Sequence, residues 1–269
     1  MRDIEAEQTR LLMIGRWERN TKKRTLRIQM SNMSGLSSTQ PTGTGVRDHE
    51  MSAEENVIRR KMKSPTNEEF TSVVEDYELR YHISDCIYDS CVKELSTMKL
   101  SQLGDISATR IIRPFLLDWG RMGRVLGSEG PKAICAEIES IANEIEPLRR
   151  KDLFSIDLEE KRELIVKLFD RLCGTTFKNR RRKTKRVGPT AASKTLHLVC
   201  PDLFVMWDSK IRTKYGRLGI GHDYFEFLEQ MREFGKEVRA AIQHLEKKYA
   251  RRPTKLLDQY NWATREGPS

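Results

Sequence analysis

From residue 66 to residue 249, apolar side chains recur every three or four positions with charged residues between them, which is the period of helices that bury one face. Thr66-x-x-Glu69 has the form of a capping box opening a helix whose stripe is Phe70, Val73, Val74, Tyr77 and Tyr81. Ile83, Ile87 and Cys91 predict a second helix. Ile111, Ile112, Phe115, Leu116, Trp119 and Met122 predict a strongly apolar one, kinked or restarted at Pro114. Pro131 suits a first helical turn, followed by Ile134, Ile138, Ile141 and Ile145. Asp157-x-x-Glu160 introduces Leu164, Ile165, Leu168, Phe169 and Leu172, and Asp223-x-x-Glu226 opens a long helix through Leu228, Met231, Val238, Ile242, Leu245 and Tyr249. Stripes of this kind, with Trp119 and the tyrosines, read first as core.

The N-terminal part is different. Two short alternating runs, beginning at Arg10 and Arg24 and separated by Asn20-Thr-Lys-Lys, predict a small hairpin, and residues 31–45 have the composition of a flexible linker. The reading is therefore an all-α domain over residues 65–269, preceded by an extension over residues 1–64.

Composition narrows the class. A chain of 269 residues, 38% hydrophobic, buries a sizeable core in one or two domains. No apolar run approaches the ~20 residues of a bilayer span, and Met1-Arg-Asp-Ile-Glu lacks a secretory apolar segment. The expectation is an intracellular protein with no membrane partner. Cys86, Cys91, Cys135, Cys173 and Cys200 include no Cys-x-x-Cys pair and no histidine at zinc spacing, so they read as buried thiols, with no metal and no cofactor expected.

Charge becomes informative once located. Residues 1–65 hold 13 Lys or Arg against 8 Asp or Glu, half of the net charge of +10. Residues 178–186 carry seven cations and no acid, leaving the rest of residues 66–269 with two more acids than bases. A patch this concentrated favours a polyanion, because closely spaced phosphate contacts release counterions together. The plainer alternative is a solvated loop or an import signal.

Immediately after that loop comes Gly188-Pro-Thr-Ala-Ala-Ser-Lys194-Thr195. It is one substitution from a nucleotide-binding phosphate loop, but it follows a cationic loop instead of a buried strand, and Ser193 stands where that motif needs glycine. As a helix entry it is consistent: Gly188 supplies backbone freedom, Pro189 fits a first turn, and the helix ends before Pro201. Its first amides would face a phosphate. The apolar run from Leu203 to Trp207 then delivers Asp208, which would cap the next helix or act as a carboxylate at a site.

Val187-Gly188-x-Thr190-Ala191, followed by Val205-x-x-Asp208-Ser209-x-Ile211 and then Tyr215-Gly-Arg-Leu-Gly219, resembles the helix-hairpin-helix DNA glycosylase superfamily, the endonuclease III-like repair enzymes. The match covers roughly 35 residues. It departs at Thr184-Lys-Arg, where the family has Leu-Pro-Gly, and at Lys210, where it has histidine; no C-terminal cysteine set is present for an iron-sulfur cluster.

The resemblance implies a two-lobed helical domain that binds double-stranded DNA, rotates a damaged or mismatched base out of the stack and cleaves its glycosidic bond. Asp208 would be the catalytic carboxylate. Lys194 would be a nucleophile in a lyase branch, although the family's lysine offset falls on Thr190; the alternative for Lys194 is an exposed helix lysine. The expected nucleic-acid contacts are Lys178, Arg180, Arg181, Arg182, Lys183, Lys185, Arg186, Gly188, Thr190, Lys210 and Arg212, with Trp207 and His197 either in a base pocket or in the core. The competing function is a non-catalytic helical DNA- or RNA-binding protein that uses residues 178–186.

Overall fold

The computed structural model describes residues 64–265, all within Asn56–Ser269, one of the two compact units into which the chain divides. The N-terminal hairpin and linker read from the sequence lie outside the described residues. Those described are mostly helical and bury one continuous apolar core.

Helix α1, Asn67–Ser96, is a single 30-residue element, where two were expected. Its start is the anticipated capping box: Glu69 N–H donates to Thr66 Oγ1 at 3.2 Å and Thr66 N–H to Glu69 Oε2 at 2.8 Å, an arrangement that stabilises a helix by about 1 kcal/mol. No glycine or proline interrupts it. The buried face runs Phe70, Val74, Tyr77, Asp85, Tyr88, Val92 and Leu95, so the stripe continues through an aspartate. Ile83 and Ile87, expected inside, are 60% and 38% exposed.

A helical run over residues 104–119, α2, follows. It contains two π-helical stretches, Ala108–Ile112 and Pro114–Trp119, the second starting at the proline that interrupts the regular ladder. Helix α3, Glu129–Ser140, holds Pro131 in its first turn and buries Ile134 and Ile138; the helix is interrupted at Ile141 and resumes for one turn over Ala142–Ile145, with Ile141 and Ile145 also buried. Helix α4, Arg162–Gly174, buries Ile165, Leu168, Phe169 and Leu172.

Next come two short antiparallel strands, β1 (Thr176–Lys178) and β2 (Thr184–Arg186), in a segment read from the sequence as a loop. Helix α5, Pro189–Val199, and α6, Ser209–Lys214, flank the apolar segment that ends at Asp208. The long terminal helix expected from Asp223 is instead α7, Gly221–Glu237, and α8, Arg239–Tyr249, divided at Val238.

Helix α9, Pro253–Ala263, was not anticipated. Thr254, Lys255, Asp258, Gln259 and Asn261 are among its buried positions, so hydrophobic periodicity gives little warning of it. Helix α1 packs against α5, α8, α9 and the second half of α2; α4 packs against α5 and α7; α3 supports β1. None of the described helices is long and apolar enough to cross a membrane.

Candidate functional site

The cationic segment is an ordered hairpin. Thr176 pairs with Arg186 and Lys178 with Thr184. At its tip, Asn179 Oδ1 accepts the Arg181 and Lys183 N–H groups, both at 3.0 Å, while Arg182 takes a left-handed φ of 57°. Phe177 anchors the hairpin in the core. Lys178, Arg180, Arg181, Arg182, Lys183, Lys185 and Arg186 are all exposed, and among the described residues no carboxylate forms an ion pair with any of them. An unneutralised cluster on a fixed hairpin is suited to phosphates.

The hairpin exit is fixed as well. Val187 N–H donates to Thr175 O at 2.9 Å and Gly188 N–H to Cys173 O at 3.0 Å. Gly188 then turns at φ 77° to cap α5, with Pro189 at the first helical position. The left-handed turn explains the glycine, and the helix start lies directly after the cationic strand. Thr190, in the first turn of α5, is half-buried.

Helix α5 and the Asp208 segment are joined by Ser193. Its hydroxyl donates to Trp207 O at 3.0 Å, also lies 3.1 Å from Thr190 O, and accepts Trp207 N–H at 3.3 Å. This places the residue before Lys194 against the residue before Asp208. Lys194 is half-buried. Its Nζ donates to Gly120 O at 3.1 Å and stands 5.1 Å from the Trp119 ring centre. It is therefore not the exposed helix lysine that the sequence left open. Burial pulls its amine below the ordinary lysine range, against the opposing attraction of Asp258 and Asp208.

Asp208 caps α6: its Oδ1 accepts Ile211 N–H at 2.9 Å. Its Oδ2 faces Arg265, whose Nε stands 3.9 Å away, and the carboxylate side chain is 28% exposed. One oxygen thus maintains the helix start and the other borders accessible space. Arg265 itself stacks on Trp262, 3.7 Å from the ring centre.

Two residues proposed for a base pocket lie elsewhere. Trp207 is wholly buried against Phe169, Tyr224 and Phe227. His197 is also wholly buried, with Nδ1 2.6 Å from Phe204 O and Nε2 2.7 Å from Tyr88 Oη. Since a carbonyl can only accept, Nδ1 carries the proton and Nε2 accepts from the tyrosine hydroxyl. Burial pushes this imidazole down to about 3. Neither side chain has surface to offer a base.

Among the other expected contacts, Lys210 is exposed on the first turn of α6. Arg212 is half-buried, reaching Leu218 O at 3.5 Å, and burial lowers its pKa. Its guanidinium supports a turn instead of standing free. Cys86 is exposed, although the thiols were read as buried; Cys91, Cys135 and Cys200 are buried.

Beneath Lys194 lies a polar cluster that periodicity did not reveal. Lys255 is wholly buried, 3.4 Å from Asp85 Oδ2 and 3.5 Å from Asp258 Oδ2. Its Nζ lies 4.8 Å from the Trp119 ring centre, 5.0 Å from Tyr88 and 5.3 Å from Tyr77. Trp119 Nε1 donates to Asp85 Oδ1 at 2.8 Å, and Gln259 Nε2 to Glu78 Oε1 at 2.6 Å. Arg251 adds ion pairs to Glu78 at 2.8 Å and Asp89 at 2.7 Å.

Burial disfavours the Lys255 charge, but Tyr77, Asp258 and Asp85 outweigh it and raise its pKa. The Asp258 carboxyl is raised by burial despite Lys255 and Lys194. The only advance signals were Glu78 and Asp85 at positions on the buried stripe of α1.

Among the described residues, no group of three or more His, Cys, Asp or Glu side chains is placed to hold a metal ion. Comparison with known proteins finds no matching family, no matching curated protein and no matching solved structure.

Proposed function

We propose that the chain is a DNA glycosylase-like protein that binds duplex DNA through the 178–186 hairpin and hydrolyses the glycosidic bond of a rotated-out nucleotide. The observation that carries this reading is the contact made by Ser193, which joins the helix bearing a half-buried lysine, Lys194, to the segment bearing a partly exposed carboxylate, Asp208, downstream of a cationic hairpin. The motif resemblance and the mostly helical architecture agree with it, and a two-lobed arrangement of the glycosylase type belongs to the same proposal.

In this mechanism, cations on the hairpin hold the phosphates and the first turn of α5 faces the same backbone. The target nucleotide leaves the stack. As the C1′–N bond breaks, its electron pair departs with the base, and Asp208 Oδ2 stabilises the positive charge developing at C1′. A water then adds to C1′, giving its proton to the carboxylate or to the departing base.

In the lyase branch, neutral Lys194 attacks C1′ instead. The resulting Schiff base permits elimination of the 3′ phosphate. The depressed pKa of Lys194 serves that branch.

A second reading has its own observation. Asp208 Oδ1 is already engaged as a helix cap, which is sufficient reason for an aspartate there in a protein that binds nucleic acid without chemistry.

Asp208→Asn separates the two, because asparagine caps a helix about as well as aspartate and should leave the fold intact. The test incubates purified full-length protein with a panel of duplexes carrying deaminated, oxidised, alkylated or mismatched bases and scores abasic sites. Expected are release by the native protein, loss of about 100-fold or more in Asp208→Asn, and duplex affinity within about twofold of native. Binding without abasic product across the panel overturns the enzymatic reading in favour of the second. Borohydride trapping of an adduct that disappears in Lys194→Gln identifies the lyase branch.

A further inference from the structure

Two lysines from different helices share one indole. Lys194 Nζ, from α5, stands 5.1 Å from the centre of the Trp119 ring, and Lys255 Nζ, from α9, stands 4.8 Å from it. The ring is fixed by its N–H bond to Asp85. Lys194 is seated on the next carbonyl in the chain, Gly120 O. That seat is rigid, because Gly120 is packed so closely that a Cβ there would come within 2.7 Å of Leu116 O.

Two cations over one ring repel each other, and their surroundings differ. Lys255 has carboxylates on Asp85 and Asp258 at 3.4 and 3.5 Å. Burial opposes its charge, but Tyr77, Asp258 and Asp85 hold its pKa above the ordinary lysine range. Lys194 has a neutral carbonyl instead. Burial pulls its amine down; Asp258 and Asp208 oppose that pull, while Lys255 and Arg265 add to it. From α1 the same region receives Asp85, engaged by Trp119 and Lys255, and Tyr88, hydrogen-bonded to His197.

We propose that Lys255 is a positioning residue for Lys194: an ammonium fixed by Asp85 and Asp258 that disfavours a second positive charge over Trp119 and so keeps the Lys194 amine available as a nucleophile. Its use in catalysis rests on the lyase branch above. In that branch the Lys194 nitrogen adds its lone pair to C1′ of an abasic aldehyde, both amine protons leave with the carbonyl oxygen as water, and a C=N bond remains. An ammonium has no lone pair to give, so a like charge held nearby serves the step.

The test compares Asp258→Asn with the double variant Lys255→Met/Asp258→Asn in the full chain. The first removes one carboxylate and leaves Lys255 charged beside Asp85. The second removes both charges of a buried pair, a replacement that folded proteins often tolerate. Lys194 protonation is read without nucleic acid, by acetic anhydride labelling as a function of pH with peptide mass spectrometry. In native protein its half-maximal labelling is expected at lower pH than that of the exposed Lys185. Asp258→Asn should move the midpoint further down. The double variant should lie above Asp258→Asn by about one pH unit, the scale of one neighbouring like charge. A merely structural Lys255 would change the yield of folded protein and not this midpoint.

In a second arm, borohydride reduces the Schiff base formed with an abasic duplex, and the dependence of adduct yield on pH should follow the same order. Equal labelling midpoints in the two variants overturn the inference. Ordered midpoints with no adduct from native protein support the action of Lys255 on Lys194 and overturn the lyase branch on which its use rests.

Discussion

The Ser193 hydroxyl lies between the two backbone groups of Trp207, 3.0 Å from its carbonyl and 3.3 Å from its N–H. Trp207 lies between α5 and α6 and is assigned to no helix or strand, so this contact satisfies its buried backbone groups where no ladder does. It also sets the register between α5 and α6, and hence between Lys194 and Asp208.

Ser193→Ala removes that register. The Trp207 N–H loses its partner inside the core, a loss that destabilises by about 1–3 kcal/mol. Urea unfolding should show a lower midpoint with an unchanged denaturant slope. In a base-release assay, activity should fall more than duplex affinity, since the hairpin stands apart from the contact. A midpoint indistinguishable from native would mean that apolar packing around Trp207 fixes the segment unaided.

His197 gives the core a pH dependence. Its folded value near 3 lies below its ordinary value of 6.5, so the neutral form is the one the core accepts. The associated stability is fully present above pH 6.5 and is lost as pH falls toward 3, with a limiting slope of about 1.4 kcal/mol per pH unit. His197→Gln keeps one donor and one acceptor but does not titrate. It should lower stability at pH 7 and flatten the decline between pH 6 and pH 4. The check is the difference between native and variant unfolding free energies across that range, and a constant difference would remove His197 from the account.

Much of this is legible in the sequence, and the gaps lie where burial depends on distant partners or where an element is too short to show a period. The capping box at Thr66, the apolar faces of α3 and α4, the glycine entry to α5 and the cap at Asp208 all follow from local chemistry confined to a few neighbouring residues. The differences at α1 and α9 arise where the buried face is polar, whereas the division of α7 from α8 at Val238 falls within an apolar stripe. Asp85 carries the stripe of α1 onward, and α9 hides Lys255, Asp258 and Gln259, so apolar periodicity alone divides one helix and gives little sign of another. Such residues are buried only because their partners come from distant parts of the chain, and that pairing is invisible to local pattern. The 178–186 segment was recognised by charge, but its strands are three residues long and too short to show alternation.

The Lys255 cluster should be costly to break. Lys255→Met leaves Asp85 and Asp258 buried without their ammonium partner, and removing one member of a buried pair typically costs about 3–5 kcal/mol. Adding Asp85→Asn should recover part of the loss by removing one buried charge whose remaining cation, Arg251, stands 3.7 Å away. The sign with pH can also be worked out. Without Lys255 the Asp258 carboxyl, already raised by burial, rises further. A carboxyl raised in the folded state favours folding at low pH and loses that contribution as pH rises through its folded value. The deficit of Lys255→Met relative to native should therefore be smaller at pH 4 than at pH 7. A deficit independent of pH would mean that Asp258 is not the group left uncompensated.

The hairpin offers the most direct measurement. Arg180, Arg181, Arg182 and Lys183 are exposed and have no carboxylate partner among the described residues, so replacing them with glutamine should change thermal stability by no more than about 0.5 kcal/mol per site. Arg182 is a special case, because its left-handed φ of 57° would be better served by glycine; Arg182→Gly should stabilise slightly while removing a charge. If these cations contact phosphates, each one lost should reduce the slope of log affinity against log salt by about 0.9 on duplex DNA. A quadruple variant should therefore lose about three to four units of slope and most of its low-salt affinity. Titration of native and variant protein with a lesion-free duplex between about 50 and 200 mM salt measures both quantities. Parallel salt dependences would place the phosphate contacts away from the hairpin.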